Sequence, residues 1–138
     1  MKYYLIKYCK DLSNGFGGTT KGPLIKILTK YKDDSGLLEH EKVHVRQWYA
    51  VLALMLSLSA LVTLLVSTSL WPLCGLALVS HQLLYKLVRP YRRWSEVQAY
   101  RKQIAIGGYT SNEFAVNALV EKYNLNLSVN EAKVLLFG

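Results

Sequence analysis

The sequence predicts an α+β fold, with short N-terminal β-strands and a mainly helical core that carries a long apolar helical hairpin. Three observations carry this. Lys2–Cys9, rich in Tyr and Ile, and Pro23–Thr29, of mixed apolar and polar character, are stretches of strand character. No Asp, Glu, Lys or Arg occurs between Arg46 and Lys86. Two capping-box patterns, at Thr110–Glu113 and Ser128–Glu131, mark helix starts near the end of the chain. A length of 138 residues fits one domain. Within it, 1–36 is β-rich, 37–106 holds a charged helix, an apolar hairpin over 48–88 and a returning helix, and 107–138 holds C-terminal helices.

Composition narrows the class. With 51% hydrophobic residues and 10 tyrosines the chain is not disordered. Cys9 and Cys74 have neither disulfide-framework nor finger spacing. The net charge of +8 raises nucleic acid or an anionic membrane as partners. One basic cluster, Lys86–Arg93, directly follows the apolar run, which favours a membrane border, and with no recognition motif no nucleic acid is expected. Met1–Tyr8 is too short and too interrupted by lysine for a signal peptide.

Taken in order, the first strand leads into Ser13–Thr20, a glycine-rich turn or loop with Asn14-Gly15 as its strongest turn pair. It lacks the frame of a phosphate-binding loop. The second strand follows, and its Ile25 and Ile27 are candidates for an edge that pairs with an extended peptide; the alternative is an ordinary sheet covering the next helix. Asp33, Asp34 or Ser35 caps that helix.

The helix opens with Leu37-Leu-Glu-His-Glu-Lys-Val-His-Val-Arg-Gln-Trp48. His40-Glu41-Lys42-Val43-His44 spells H-E-x-x-H, and two of the three histidines of the chain fall in it. Positions i and i+4 share a helix face, so both imidazoles can address one ion while Glu41 reaches a water as general base. Catalytic zinc usually takes a third protein ligand.

Trp48–Val66 is apolar over the length of one membrane crossing, roughly 17–25 residues. Ser67–Pro72 breaks the run and Leu73–Val88 resumes it, so residues 48–88 read as a hairpin in a bilayer, or buried against an apolar partner surface. Basic residues at both ends place the two termini and the motif on the cytoplasmic side. Trp48 and Trp94 would then mark one interface and Trp71 the other. If the hairpin turns near Ser69, residues 40–44 lie opposite 94–98, since antiparallel helices rise alike at about 1.5 Å per residue. Glu96 falls in that window. It is the candidate third ligand, or else a surface partner of Arg92 or Arg93. His81 is expected deep in the hairpin, far from the motif, and nothing aims Glu113, Glu121 or Glu131 at it. Pro90 is expected to kink the returning helix, which ends at Gly107-Gly108. Helices over about 111–124 and 129–136 complete the chain.

His40–His44 followed by Glu96-Val-Gln-Ala-Tyr100 resembles the gluzincin pattern, and the continuation Val45-Arg46-Gln47 is similar to small H-E-x-x-H-x-x-Q metallopeptidases of phage and bacteria. An apolar hairpin between the two motifs is similar to membrane-embedded zinc proteases of the HtpX type. The resemblance covers about residues 22–106. It implies a zincin-like domain, Zn2+ held by His40, His44 and Glu96, Glu41 as catalytic base, and a peptide or protein substrate hydrolysed by a metal-activated water. The chain is shorter than the membrane proteases, and Tyr100, Tyr109, Tyr123 and Arg101 all stay open as the transition-state-stabilising group. The competing expectation is a non-enzymatic membrane-hairpin or phage-particle assembly protein whose metal site is structural or vestigial. The sequence leaves the oligomeric state unknown.

Overall fold

The computed structural model describes residues 2–12 and 15–138. It is an α+β fold: a three-stranded sheet of β1 (Leu5–Cys9), β2 (Gly18–Lys21) and β3 (Leu24–Leu28), then α1 (Ser35–Leu65), α2 (Leu73–Leu87), α3 (Arg89–Gly107), α4 (Glu113–Glu121) and α5 (Val129–Phe137). Of the expected Asn14-Gly15 turn, Asn14 lies outside the described residues, and Gly15 has a positive φ of 65°.

The sheet order β1-β3-β2 corrects the expected edge strand. β3 pairs parallel with β1 (Leu5 opposite Leu24) and antiparallel with β2 (Gly18 opposite Ile27), so it is central. Ile25 and Ile27 are fully buried and pack with Val45 of α1, so they present no edge to a peptide. The edge on the helix side is β2, from the segment expected to be a loop. Its Gly-Thr-Thr-Lys sequence has no apolar alternation to reveal a strand. The β2–β3 turn is made by Gly22, at φ +59° and against the Trp48 indole.

Asp34 caps α1, its carboxylate accepting from the Leu37 N–H at 2.8 Å. The helix then runs without a break through both the H-E-x-x-H turn and the apolar stretch. Ser67 and a 3-10 turn over Thr68–Leu70 reverse the chain. α2 ends at Leu87 because Val88 is extended (ψ 95°), and Pro90 occupies the first turn of α3, where a missing N–H costs nothing. The expected kink is therefore a full break. Arg92 Nη1 bridges it by donating to the Tyr85 and Lys86 carbonyls at 3.0 and 2.9 Å. Gly108 ends α3 in the left-handed conformation. The capping box at Ser128–Glu131 forms. That at Thr110 does not: α4 is shorter than expected, and Ser111 Oγ instead accepts the Glu113 N–H. α4 and α5 close a core on α3 around Val97, Tyr100, Leu119 and Leu136.

α1 is the one helix among the described residues long and apolar enough to cross a membrane, with an 18-residue window of mean hydropathy 2.1 that is 11% buried. α2, at 15 residues, spans about 22 Å and falls short of a ~30 Å hydrocarbon core, so the hairpin is not two equal crossings. Trp48, expected at an interface, is buried and donates to the Leu78 carbonyl at 3.2 Å. Trp71 and Trp94 are exposed.

α1 and α3 approach closely at Gly36, where an added Cβ would lie 2.7 Å from Gly107 Cα and 2.8 Å from the Gln103 carbonyl. Both contacts are backbone and cannot step aside. Gly36→Ala is therefore expected to destabilise the fold by about 1–3 kcal/mol, read as a lowered Tm of the detergent-purified protein.

Candidate metal centre

The site lies in the α1–α3 interface. His40 and His44 stand one turn apart on the α1 face that meets α3, and Glu96 projects from α3 between them. His40 and Glu96 are 4% and 2% exposed. The two Nε2 atoms are 3.2 Å apart; His40 Nε2 is 3.6 Å from Glu96 Oε2 and His44 Nε2 3.5 Å from Glu96 Oε1. Ligand atoms about 2.1 Å from a tetrahedral ion are separated by about 3.4 Å, so these distances fit the edges of such a shell.

Hydrogen bonding fixes which nitrogens face inward. His44 Nδ1 is 3.0 Å from Gln47 Oε1, an oxygen that also accepts from Ser95 Oγ at 2.6 Å. Gln47 Oε1 can only accept, so the His44 proton resides on Nδ1 and the Nε2 lone pair points into the cluster. On the other ring, His40 Nδ1 and Gln103 Oε1 are both buried without a hydrogen-bond partner, and the nearby Gln103 side chain favours the proton on His40. Gln103 Nε2 donates to Tyr109 Oη at 3.1 Å, and Tyr109 donates to Asp34 Oδ1, the α1 cap, at 2.6 Å. Burial, then the neighbouring His44, holds His40 well below the usual histidine range, in the neutral form a ligand needs. Glu96 Oε2 is buried with no hydrogen-bond donor, while Tyr85 donates to Oε1. The interior is thus lined by lone pairs on three residues and short of donors, so His40, His44 and Glu96 form a group able to hold a metal ion.

Glu41, 4% exposed, turns toward β2. Thr20 Oγ1 donates to its Oε2 at 2.7 Å, and Gly18 packs so close that a Cβ there would lie 2.6 Å from Oε1. Burial pushes the Glu41 carboxyl up to about 7, against the pull of His44 and Thr20 and with the help of Glu96. The carboxylate lines a cleft of about 610 Å3 that also exposes His40, His44, Glu96 and all four residues of β2.

His81 belongs to this cleft, contrary to the expectation that it lies far off. α2 meets the motif end of α1 at Trp48–Leu78, so the next turns of α2 bring His81 and Tyr85 over His44, whose ring centroid is 6.4 Å from that of Tyr85. Of the groups left open, Tyr100 stacks edge-on against His40 at 4.5 Å and bonds Tyr123, while Tyr109 serves Asp34. Arg101 donates to the Leu135 carbonyl on the exposed side of α3. Glu113, Glu121 and Glu131 are exposed. Sequence reasoning missed Tyr85, Thr20, Ser95 and Gln103. The one signal for Tyr85 was its i+4 spacing from His81 in an otherwise apolar helix, where polar groups tend to be functional.

His44→Ala and Glu96→Ala are expected to lose the metal altogether, by elemental analysis. Gln47→Ala, which frees the His44 ring to rotate, should weaken it about 10–100-fold in a chelator competition. No family model, curated protein or solved structure matches the chain, so the metal-site reading stands on its geometry alone.

Proposed function

We propose that the protein is a membrane-associated, gluzincin-like zinc metallopeptidase that hydrolyses peptide bonds. The observation that carries this reading is the tetrahedral spacing of His40, His44 and Glu96 beside a buried carboxyl, Glu41, that is not among them. A nitrogen- and carboxylate-rich set of this size suits Zn2+. When bound, zinc polarises the scissile carbonyl and lowers the pKa of a water.

The residues of the chain do the rest. Glu41, steadied by Thr20 and Gly18, accepts the proton of the attacking water and hands it to the leaving nitrogen; a proton affinity near neutrality suits both transfers. Tyr85, with its hydroxyl at Glu96, is the donor best placed to meet charge developing on the carbonyl oxygen. β2, the edge that lines the cleft, takes the substrate-pairing role expected of Ile25 and Ile27.

The membrane part rests on an inverted distribution of side chains. Where α1 meets α2, small residues are buried (Ser59 8%, Ala77 1%, Ser80 8% exposed), whereas Leu64 and Leu65 are 79% and 75% exposed. Helices that pack in lipid bury small residues and turn their leucines outward. Lys42 and Arg46 before the apolar run and Lys86, Arg89, Arg92 and Arg93 after it support a cytoplasmic site and termini. The same exposed apolar face favours one second reading, a non-enzymatic membrane or phage-particle protein whose hairpin is the working part.

Two variants separate these. Against a peptide library, Glu41→Gln is expected to retain zinc and lose about 10²–10⁴-fold in hydrolysis. Tyr85→Phe should lower kcat about a hundredfold or more with little change in KM. Hydrolysis that survives Glu41→Gln would rule out this mechanism, and a wild-type chain that binds zinc but cuts nothing in the library would favour the second reading.

A further inference from the structure

Beyond the metal centre, the space around Glu41 is divided by charge. The larger cleft is bordered by Lys21 on β2, Lys86 on α2, Arg92 on α3 and Lys122 beyond α4. Its only carboxylates are Glu41 and Glu96, both buried and already engaged with Thr20 and the metal cluster. None of the four cations forms an ion pair with a carboxylate among the described residues: Arg92 meets the carbonyls of α2, and Lys122 meets the Gly15 carbonyl and the face of Phe16. A dication at the cluster would cancel the two carboxylates and leave the four rim charges unopposed.

On the other side of His40 and Glu41 a second hollow of about 340 Å3 is walled by Phe16, Tyr31, Tyr100, Tyr109 and Phe114. Its one further carboxylate, Asp34, is occupied by Tyr109 and the Leu37 N–H. The two spaces share Phe16, Gly18, His40, Glu41, Lys122 and Tyr123, and beyond that common wall the larger has Lys21, Lys86 and Arg92 where the smaller has Tyr31, Tyr109 and Phe114, so an extended chain passing the metal cluster along β2 would lay one flank among cations and the other among aromatic rings.

Resting on the peptidase reading, we propose that the substrate is a polypeptide with acidic side chains on one side of the scissile bond and a large apolar or aromatic side chain on the other. The acidic flank lies between Lys21, Lys86 and Arg92, the apolar flank lies between Tyr31, Tyr109 and Phe114, and Lys122 with Phe16 stands between the two.

Glu41→Gln separates binding from turnover. Fluorescent peptides are titrated into this full-length, detergent-solubilised variant, with and without zinc, using one acidic-then-aromatic set, its reversed order, and matched sets with lysine for the acids or alanine for the aromatic residue. One acidic–aromatic order should bind about tenfold tighter than its lysine counterpart. Lys21→Glu combined with Lys86→Glu should remove or invert that preference. Lys7→Glu with Lys133→Glu, the same charge change on remote exposed lysines, should leave it. Equal binding of acidic and basic peptides, or equal loss in both double variants, would overturn the proposal, the latter by reducing the effect to net charge. Loss of the preference when neutral detergent is replaced by anionic lipid would also overturn it, assigning the rim to headgroups. Peptide preference in Glu41→Gln without turnover by the wild type would refute the peptidase reading and leave the binding specificity intact. Turnover by the wild type without the preference would do the reverse.

Discussion

Two imidazole nitrogens and two carboxylate oxygens face one another inside the α1–α3 interface, and among the described residues a single hydroxyl, that of Tyr85, donates to them. Lone pairs crowded together in a low-dielectric interior repel unless a cation joins them. Much of the surrounding structure maintains this confrontation. Gln47 and Ser95 hold the His44 ring, and Tyr109 ties Gln103 of α3 to the Asp34 cap of α1. The cap of α1 and Gln103 of α3 thus belong to one hydrogen-bonded chain, and Gly36 is the contact that lets α3 come close enough to complete it.

The continuity of α1 ties the site to the apolar surface. Trp48 follows His44 by one turn, so the cluster sits about 6 Å along the helix from the start of the apolar stretch. α2 then serves two environments, presenting Leu76, Leu78 and Leu83 outward and His81 and Tyr85 to the cleft. The cleft therefore opens beside the exposed apolar surface of α1 and α2, with β2 as another of its walls.

How much of this was legible in the sequence differs from element to element. The H-E-x-x-H turn, the apolar run, the Ser128 cap and the Gly108 stop were all readable, because each is a local rule of spacing or conformation. Glu96 could be placed opposite the histidines from helix rise alone, and it lies there. The reasoning behind that placement assumed one returning helix, whereas the chain returns as two, broken at Val88. α2 does not mirror α1 about Ser69: Ser59 meets Leu73 and Trp48 meets Leu78, a shifted register that carries His81 to the motif, and the break at Val88 then lets α3 set Glu96 independently.

Helix type, the helix ends at Asp34, Gly108 and Ser128 and the face shared by His40 and His44 follow from the sequence by itself, since they depend on neighbours within a few positions. Sheet order, the central place of Ile25 and Ile27, the strand made by Gly18–Lys21 and the arrival of Tyr85 at Glu96 were decided by tertiary structure. Each needs one element to meet another across the chain, and the residues involved carry no periodic signal. Gly18 is small because Glu41 fills the space where its side chain would be, and Thr20 is polar because Glu41 needs a donor. Those reasons exist only once β2 and α1 are in contact.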